Sequence, residues 1–468
     1  MKKTVSTRRR FLSKAARTAA AAGGAVTAAA FGAVAPAPAI REGRTAPSET
    51  VVLSVIGCGG RGSTLARDFV ARGDVEIACA CDPDLRRAAS LSRELREKTG
   101  KAPAAVQDYR KALEDRSVDA VIVATPDHWH ALATVAACQA GKDVYVEKPA
   151  SYSIWEGRKM VEAARKYGRV VQVGTQNRSA PEVIEAVEYV RSGALGKVHF
   201  ARVENLKSGG PFHAPKDGGG PPEGVDYDLW LGPAPARPFN AGHFHGGWYY
   251  FFAYCGGDMG NDSSHQLDIA RWVLGRRYPR TVYATGGNLA FRDDRDVPDT
   301  QVAVFEFDDD LVVSFELTQW APYMDKIAGD VRQGDLFPHW PQCATRIELY
   351  GTKGLMVLGR HGGGWQVFEK AETVSRAGKV VAQRHGRIPD PAHKENFIQC
   401  VRTRERPNAD IEEGHVSAVL SHLGNIAYRV GSRKLVFDGA AERFVGDEEA
   451  NRLLKREFRA PYAIPDEV

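Results

Sequence analysis

The segment Gly57-Cys58-Gly59-Gly60-Arg61-Gly62 constrains this chain more than any other. It follows an apolar run at 51–56 and opens a helical pattern near 62–72, with the spacing G-x-G-x-x-G. The first glycine permits a tight turn. The second lets backbone approach a pyrophosphate, and the third lets the helix pack on the strand, with the helix N-terminus facing the phosphates. Asp82 ends the next strand-like run, 75–81, and lies 20 residues after Gly62. An acid at that place binds ribose hydroxyls. Gly57, Gly59, Gly60, Arg61, Gly62 and Asp82 are therefore candidate dinucleotide-binding residues. Asp82 favours NAD over NADP, because a 2′-phosphate would meet a carboxylate; Arg86 and Arg87 leave NADP open.

Strand-like runs at 51–56, 75–81, 118–124, 144–147 and 169–173 alternate with helical patterns near 62–72, 84–98, 130–140 and 153–167. Near-continuous apolar strands separated by helices predict a parallel sheet covered on both faces. After 174 the pattern changes. Runs at 197–206, 280–289, 300–307, 311–320, 344–350 and 355–358 are strand-like, and several alternate with period two. Asp308-Asp309-Asp310 between two of them suggests a hairpin. Helices are expected near 181–192, 262–274, 394–404 and 412–430. The stretches 207–248 and 320–343 read as long functional loops. The expected fold is α/β: a Rossmann domain at 50–172 with a parallel sheet, then an α/β domain at 173–468 with a large, mostly antiparallel open sheet.

The N-terminus differs in kind. Thr7-Arg8-Arg9-Arg10-Phe11-Leu12 precedes an Ala/Gly-rich, weakly apolar stretch, and Ala35-Pro36-Ala37 and Ala37-Pro38-Ala39 are cleavage candidates. This looks like a twin-arginine export signal over 1–39, followed by a linker at 40–49. The expected location is the periplasm or the extracellular space. Alanine and glycine are poor material for a stable membrane anchor. Lys+Arg number 63 and Asp+Glu 58, a net charge of +5, which argues against a nucleic-acid partner. None of the seven cysteines forms a CxxC pair, so they read as small buried hydrophobes.

Three further motifs carry chemistry. Thr125-Pro126-Asp127-His128-Trp129-His130 ends the third strand, where ligands of doubly wound sheets bind. His128 and His130 there either approach the ligand or serve the loop's own hydrogen bonds. Glu147-Lys148-Pro149 ends another strand. Pro149 keeps Lys148 out of helical geometry, and an ammonium there can stabilise an alkoxide. In Gly257-Asp258-Met259-Gly260-Asn261-Asp262-Ser263-Ser264-His265, Asn261 is a candidate N-cap, with Gly275 as the stop. Asn261 and His265 then share a face, and the helix N-terminus disfavours imidazolium at His265 by ~0.3–1 kcal/mol. Trp230, His243, Trp248 and Tyr249 can stack on a sugar or pack a core. His243, His245, His265 and Asp262 are ligand types without a metal spacing, and no metal is assigned.

Taken in order, the glycine fingerprint, Thr125-Pro126 with His130, Glu147-Lys148-Pro149, and the helix with His265 and Asp268 resemble the Gfo/Idh/MocA oxidoreductase family. Pro126-Asp127-His128-Trp129-His130, Gly257-Asp258-Met259-Gly260-Asn261 and Leu423-Gly424-Asn425-Ile426-Ala427 resemble its secreted branch. The resemblance implies a sugar or cyclitol substrate between nicotinamide and sheet, with Lys148 and His265 as the catalytic pair. Thr125, Pro126, His130, Glu147 and Lys148 would join the cofactor site. His128, Trp129, Gln176, Tyr227, Trp230, His243, Trp248, Asn261 and Asp262 are substrate-side candidates. The resemblance also implies a homo-oligomer, dimer or tetramer. One departure matters: family dehydrogenases usually carry Asp where this chain has Asn261, which cannot accept a proton. Three functions are open. The first is an oxidoreductase acting on a sugar or glycoside secondary alcohol with tightly bound NAD(P). The second is a redox-neutral NAD-dependent glycosidase or lyase. The third is a non-catalytic saccharide-binding scaffold.

Overall fold

Val51, Leu53, Val55 and Ile56 of the first strand are buried, as is nearly every residue of the strands beside it. A strand apolar on both faces must be covered on both, and the chain supplies that cover with helices. The structure is a computed structural model that describes residues 50–360, 362–371 and 378–468. The proposed export signal lies outside the described residues.

Strands β1 (Val51–Ile56), β2 (Val75–Cys81), β3 (Ala104–Val106), β4 (Ala120–Val123), β5 (Asp143–Val146) and β6 (Val171–Val173) form one sheet in the order β3-β2-β1-β4-β5-β6. Every pairing is parallel. Strand order reverses between β1 and β4, which opens a crevice beyond their carboxyl ends. Gly57 follows β1 at φ +93°, a left-handed conformation that glycine tolerates. Helix Gly60–Val70 starts directly after it. β3 and helix Tyr109–Glu114 were not expected from the sequence.

Strands β7 (Val198–Leu206), β8 (Thr281–Gly287), β9 (Thr300–Phe307), β10 (Leu311–Thr318), β11 (Arg346–Gly351), β12 (Gly354–Gly359), β13 (Trp365–Glu369), β14 (Val380–Arg384), β15 (Leu435–Asp438) and β16 (Arg443–Phe444) make a second sheet. Its order is β14-β13-β12-β11-β7-β10-β9-β8-β15-β16, antiparallel except between β7 and β10. The predicted hairpin joins β9 to β10, with Asp309 and Asp310 at positive φ. Buried and half-exposed residues alternate along β9, so one face is covered. Helices Pro181–Arg191, Ser263–Leu274 and Ile411–Arg429 cover it through Val183, Val187, Leu267, Ile269, Leu420 and Leu423.

The core of the parallel sheet is not closed by residues before 173 alone. Phe397, Ile398 and Val401 of helix Asp390–Thr403 pack among Leu53, Phe69 and Tyr145. Tyr462, Ile464 and Val468 pack beside Trp129 and Val161 on another side of that sheet. The two long loops contain short helices, Tyr227–Leu231 and Gly329–Gln333. All seven cysteines are buried free thiols. Among the described residues no helix is long and apolar enough to cross a membrane.

Candidate active site

The crevice at the β1/β4 switch point deepens into a cavity of about 600 Å³, within the usual range of roughly 300–1,000 Å³ for small-molecule sites. Gly57, Gly59, Gly60, Arg61 and Asp82 line one end. Thr125, Pro126, Glu147, Lys148 and Gln176 line the middle, and Trp230, Trp248, Asn261 and His265 the other side.

The glycine end fits a dinucleotide. A Cβ at Gly62 would fall 1.8 Å from the Gly57 carbonyl oxygen, so only glycine lets the helix pack this close. A Cβ at Gly60 would meet nothing within 4 Å, so backbone there faces open space. Gly59 caps the helix without any side-chain hydrogen bond, which leaves the first amides for a phosphate. Asp82 is 5% exposed and accepts from the amides of Cys58 (2.8 Å) and Asp84 (2.9 Å). Burial pushes its carboxyl up to about 6, against those two bonds and Arg87, which lower it. Arg86 is drawn onto Asp84, whereas Arg87 lines the cavity.

Glu147 is held by Arg61, whose Nε donates to it at 2.6 Å, and Arg61 also reaches Asp390 at 3.4 Å. Burial disfavours the Glu147 carboxylate, but Arg61 and Lys148 outweigh burial and hold it below the usual range. Lys148 leaves β5 through a cis bond to Pro149, and its Nζ donates to the side-chain oxygen of Asn261. Burial lowers the Lys148 ammonium against the pull of Glu147 and Asp127. Burial likewise drives the Asp127 carboxyl up to about 7, with Lys148 pulling it down.

Asn261 is not the helix N-cap expected from the sequence. The backbone is already helical over Gly257–Asn261 and stays so through Asp262 (φ −85°, ψ −34°) into Ser263–Leu274. Helix Ser263–Leu274 nevertheless starts after Asp262, its N-cap, so His265 stands in the first turn as expected. Gly275 does stop the helix, at φ +65°. The Leu423–Ala427 motif proves to be the support of this segment. Asn425 donates to the Gly256 carbonyl at 2.8 Å, and a Cβ at Gly424 would fall 2.1 Å from the Met259 methyl. Asp268 faces away, paired with Arg178 at 2.8 Å.

Several candidates stand behind the cavity wall instead of on it. His128 is fully buried, its ring against the Trp230 carbonyl at 3.2 Å, and burial pushes it down to about 3. The His130 ring nitrogens face the carbonyls of Pro149 (2.7 Å) and Thr125 (3.0 Å), so it braces the two loops that flank the cofactor end. Tyr227 stacks on Trp230, with centroids 5.7 Å apart. His243 packs on Phe251, at 4.1 Å. Asp262 pairs with Lys207 and, at 3.1 Å, with Arg360. These five do not line the cavity. Trp129 does, and it donates its indole N–H to the Trp230 carbonyl at 3.0 Å. His245 donates its Nε2–H to Asp84 at 2.9 Å, so the histidine–aspartate set considered for a metal is dispersed. Among the described residues no three His, Cys, Asp or Glu side chains are grouped to hold a metal ion.

The sequence reading missed Asp127, Asn177, Arg332 and Arg360, which line the cavity, and Lys207 just behind it. Lys207 donates to Asp258 at 3.1 Å, and the Tyr249 hydroxyl donates to the same carboxylate. Burial lowers the Lys207 ammonium to about 8, against Asp258. Lys207 and Arg360 directly follow β7 and β12. The strand-end position that singled out Lys148 would have found both.

Comparison with known proteins agrees with this geometry. Residues 52–175 match the model of an oxidoreductase family with an NAD-binding Rossmann fold. Residues 233–357 match a Gfo/Idh/MocA C-terminal domain, and 367–464 an oxidoreductase-family C-terminal alpha/beta domain. The chain is 27% identical to scyllo-inositol 2-dehydrogenase (NAD(+)) of Bacillus subtilis over 76% of its own length and 87% of that protein's. Its fold resembles levoglucosan dehydrogenase in complex with NADH and levoglucosan, with a TM-score of 0.58 and 19% identity over 85% of this chain and 99% of that one. It also resembles the aldose-aldose oxidoreductase of Caulobacter crescentus, with a TM-score of 0.60 and 19% identity over 83% and 100%. The chain belongs to the Gfo/Idh/MocA family and is an NAD-dependent oxidoreductase.

Proposed function

We propose that this enzyme oxidises a secondary alcohol of a sugar or glycoside, with NAD held tightly rather than exchanged. The carrying observation is the Lys148–Asn261 contact at the cavity wall, which places a part-buried amine in the cavity that His265 also lines. Curated relatives include inositol, levoglucosan and glucoside dehydrogenases, which supports a polyhydroxylated substrate.

Nicotinamide, when bound, supplies the hydride acceptor. The protein's part is to hold the substrate and move a proton. Burial lowers the Lys148 ammonium and so eases loss of its proton; as the free amine it takes the hydroxyl proton while donating to the developing alkoxide. Asn261 fixes the amine without adding charge. Trp230 and Trp248 present ring surface to a sugar face and displace water. His265 shares the cavity as a second hydrogen-bonding group.

Export by the twin-arginine route, which moves folded proteins, supports tight retention, because little free cofactor exists outside the cytoplasm. A retained cofactor must be recycled on the enzyme. Either a second sugar takes the hydride back, or one glycoside is oxidised, loses its aglycone by elimination, adds water and is reduced. Asn261 favours keeping the second scheme, since it removes the anionic partner of an ordinary dehydrogenase relay. Exposed Tyr283, Val302 and Val436 on the sheet support assembly into a dimer or tetramer.

Incubating the purified enzyme with sugars and aryl glycosides, without added NAD, tests the reading. Reduced nicotinamide without aglycone release supports plain oxidation. Aglycone release without net reduction supports the redox-neutral route. Neither signal across a broad panel would contradict both.

A further inference from the structure

Two guanidinium groups face the same cavity, and neither is used by the chemistry above. Arg332 sits on helix Gly329–Gln333, in the excursion between β10 and β11. That excursion has its own packing: Ile327, Val331 and Trp340 form a small core with Val357. Arg332 Nε donates to the Ile327 carbonyl at 2.6 Å, and the Arg332 carbonyl accepts from the Ile388 amide at 3.1 Å. No carboxylate pairs with Arg332 among the described residues. Arg360 has a side chain only 6% exposed, and its Nη2 donates to Asp262 at 3.1 Å. Its Nε is buried without a hydrogen-bond partner. A buried N–H of a charged group left unpaired is costly, and a ligand oxygen there would relieve it.

The local charge points the same way. Lys148, Lys207, Arg332 and Arg360 surround this end of the cavity. The carboxylates facing them are Glu147, which Arg61 already holds, Asp127, Asp258 and Asp262. Asp258 is shared between Lys207 and Tyr249, and Asp262 between Lys207 and Arg360. Burial lowers both arginines, and Arg360 adds to the lowering of Arg332, as two like charges brought together do. The glycine end already provides for a pyrophosphate, and Arg61 there is committed to Glu147 and Asp390.

We propose that Arg332 and Arg360 form a subsite for an oxyanion carried by the substrate, so that the sugar taken is an acidic one bearing a carboxylate or a sulfate ester. Planar guanidinium forks suit both groups. The inference rests on the sugar-oxidoreductase reading above.

The test compares glycosides that differ only at C6: hydroxymethyl, carboxylate and sulfate ester. The NAD-loaded wild-type enzyme is expected to favour an acidic member by roughly 10–100-fold in kcat/KM, the value of one or two charge-assisted hydrogen bonds. Whichever acidic member leads identifies the group. R332Q is expected to erase that preference through KM, leaving the neutral glycoside and NADH affinity within about threefold of wild type. R360K, which keeps charge but loses the fork, is expected to lose most of the preference too. Equal or better use of the neutral glycoside by wild type overturns the inference. So does an R332Q variant that loses NADH affinity instead, since Arg332 would then serve the cofactor. If no glycoside is turned over, the sugar-oxidation reading fails first. Calorimetry of the same three compounds on NADH-loaded protein then decides: tighter binding of an acidic member supports the subsite, and equal binding overturns it.

Discussion

Lys148 and Asn261 stand 113 residues apart in sequence and meet side chain to side chain at the cavity wall. The first comes from the end of a parallel strand and the second from the short helix that Asn425 and Gly424 hold in place. A neutral amide thus faces an amine that burial has already weakened as an acid-bound charge.

Asn261→Asp should raise the pH at which Lys148 loses its proton. A carboxylate beside an ammonium favours the charged form, typically by about one unit or more. Since Lys148 must be neutral to take the hydroxyl proton, the rising limb of the kcat/KM profile should move to higher pH. A profile unchanged from wild type would remove Lys148 as the base.

Lys148→Ala should lower turnover by roughly 100- to 10,000-fold, the usual range for a lost general base. Bound nicotinamide should remain, because the glycine turn and Asp82 are untouched. Assays of rate and of extracted cofactor on one preparation check both halves.

Asp82→Asn should act in opposite directions on stability and on binding. In the cofactor-free protein the folded carboxyl titrates near 6, above its ordinary 3.8. A raised carboxyl pKa means stability is fully present below about pH 4, declines as pH rises to about 6, and is flat above. The total is roughly 3 kcal/mol by linkage. The Asn variant should lack that decline and melt higher at pH 8. It should also bind NADH more weakly, because ribose hydroxyls lose an anionic acceptor. Melting curves across pH and an NADH titration measure the two effects.

Gly62→Ala should destabilise by about 1–3 kcal/mol through overpacking, since its Cβ would sit 1.8 Å from the Gly57 carbonyl oxygen. The helix start should shift away from the turn and NADH affinity should fall. A variant with wild-type melting temperature and wild-type affinity would mean that the turn does not set the cofactor site.

Much of the frame was legible in sequence. β1, β2 and β9 fall where apolar runs and alternation place them, and three aspartates mark the β9–β10 hairpin. β14 escaped notice because its residues are nearly all exposed and show no alternation. β3 has three residues and little burial. Strand ends located Thr125, Glu147 and Lys148 on the cavity, but a strand end does not say where a side chain turns. His128 and His130 follow β4 as closely as Trp129 does, yet they turn toward backbone carbonyls and leave Trp129 on the cavity. Asn261 was found, but the short helix that ends on it was missed because Gly257 and Gly260 hid a helical turn. Arg332 was invisible because only the folded excursion between β10 and β11 brings it to Lys148's cavity, whereas Arg360, directly after β12, was legible as a strand end and overlooked.

The most direct test is a single-turnover experiment on the purified enzyme, with no cofactor added. Denatured extract should release nicotinamide dinucleotide, and adding a substrate sugar to native protein should change the redox state of that bound pool. Absence of any bound or titratable dinucleotide would contradict the account at its base.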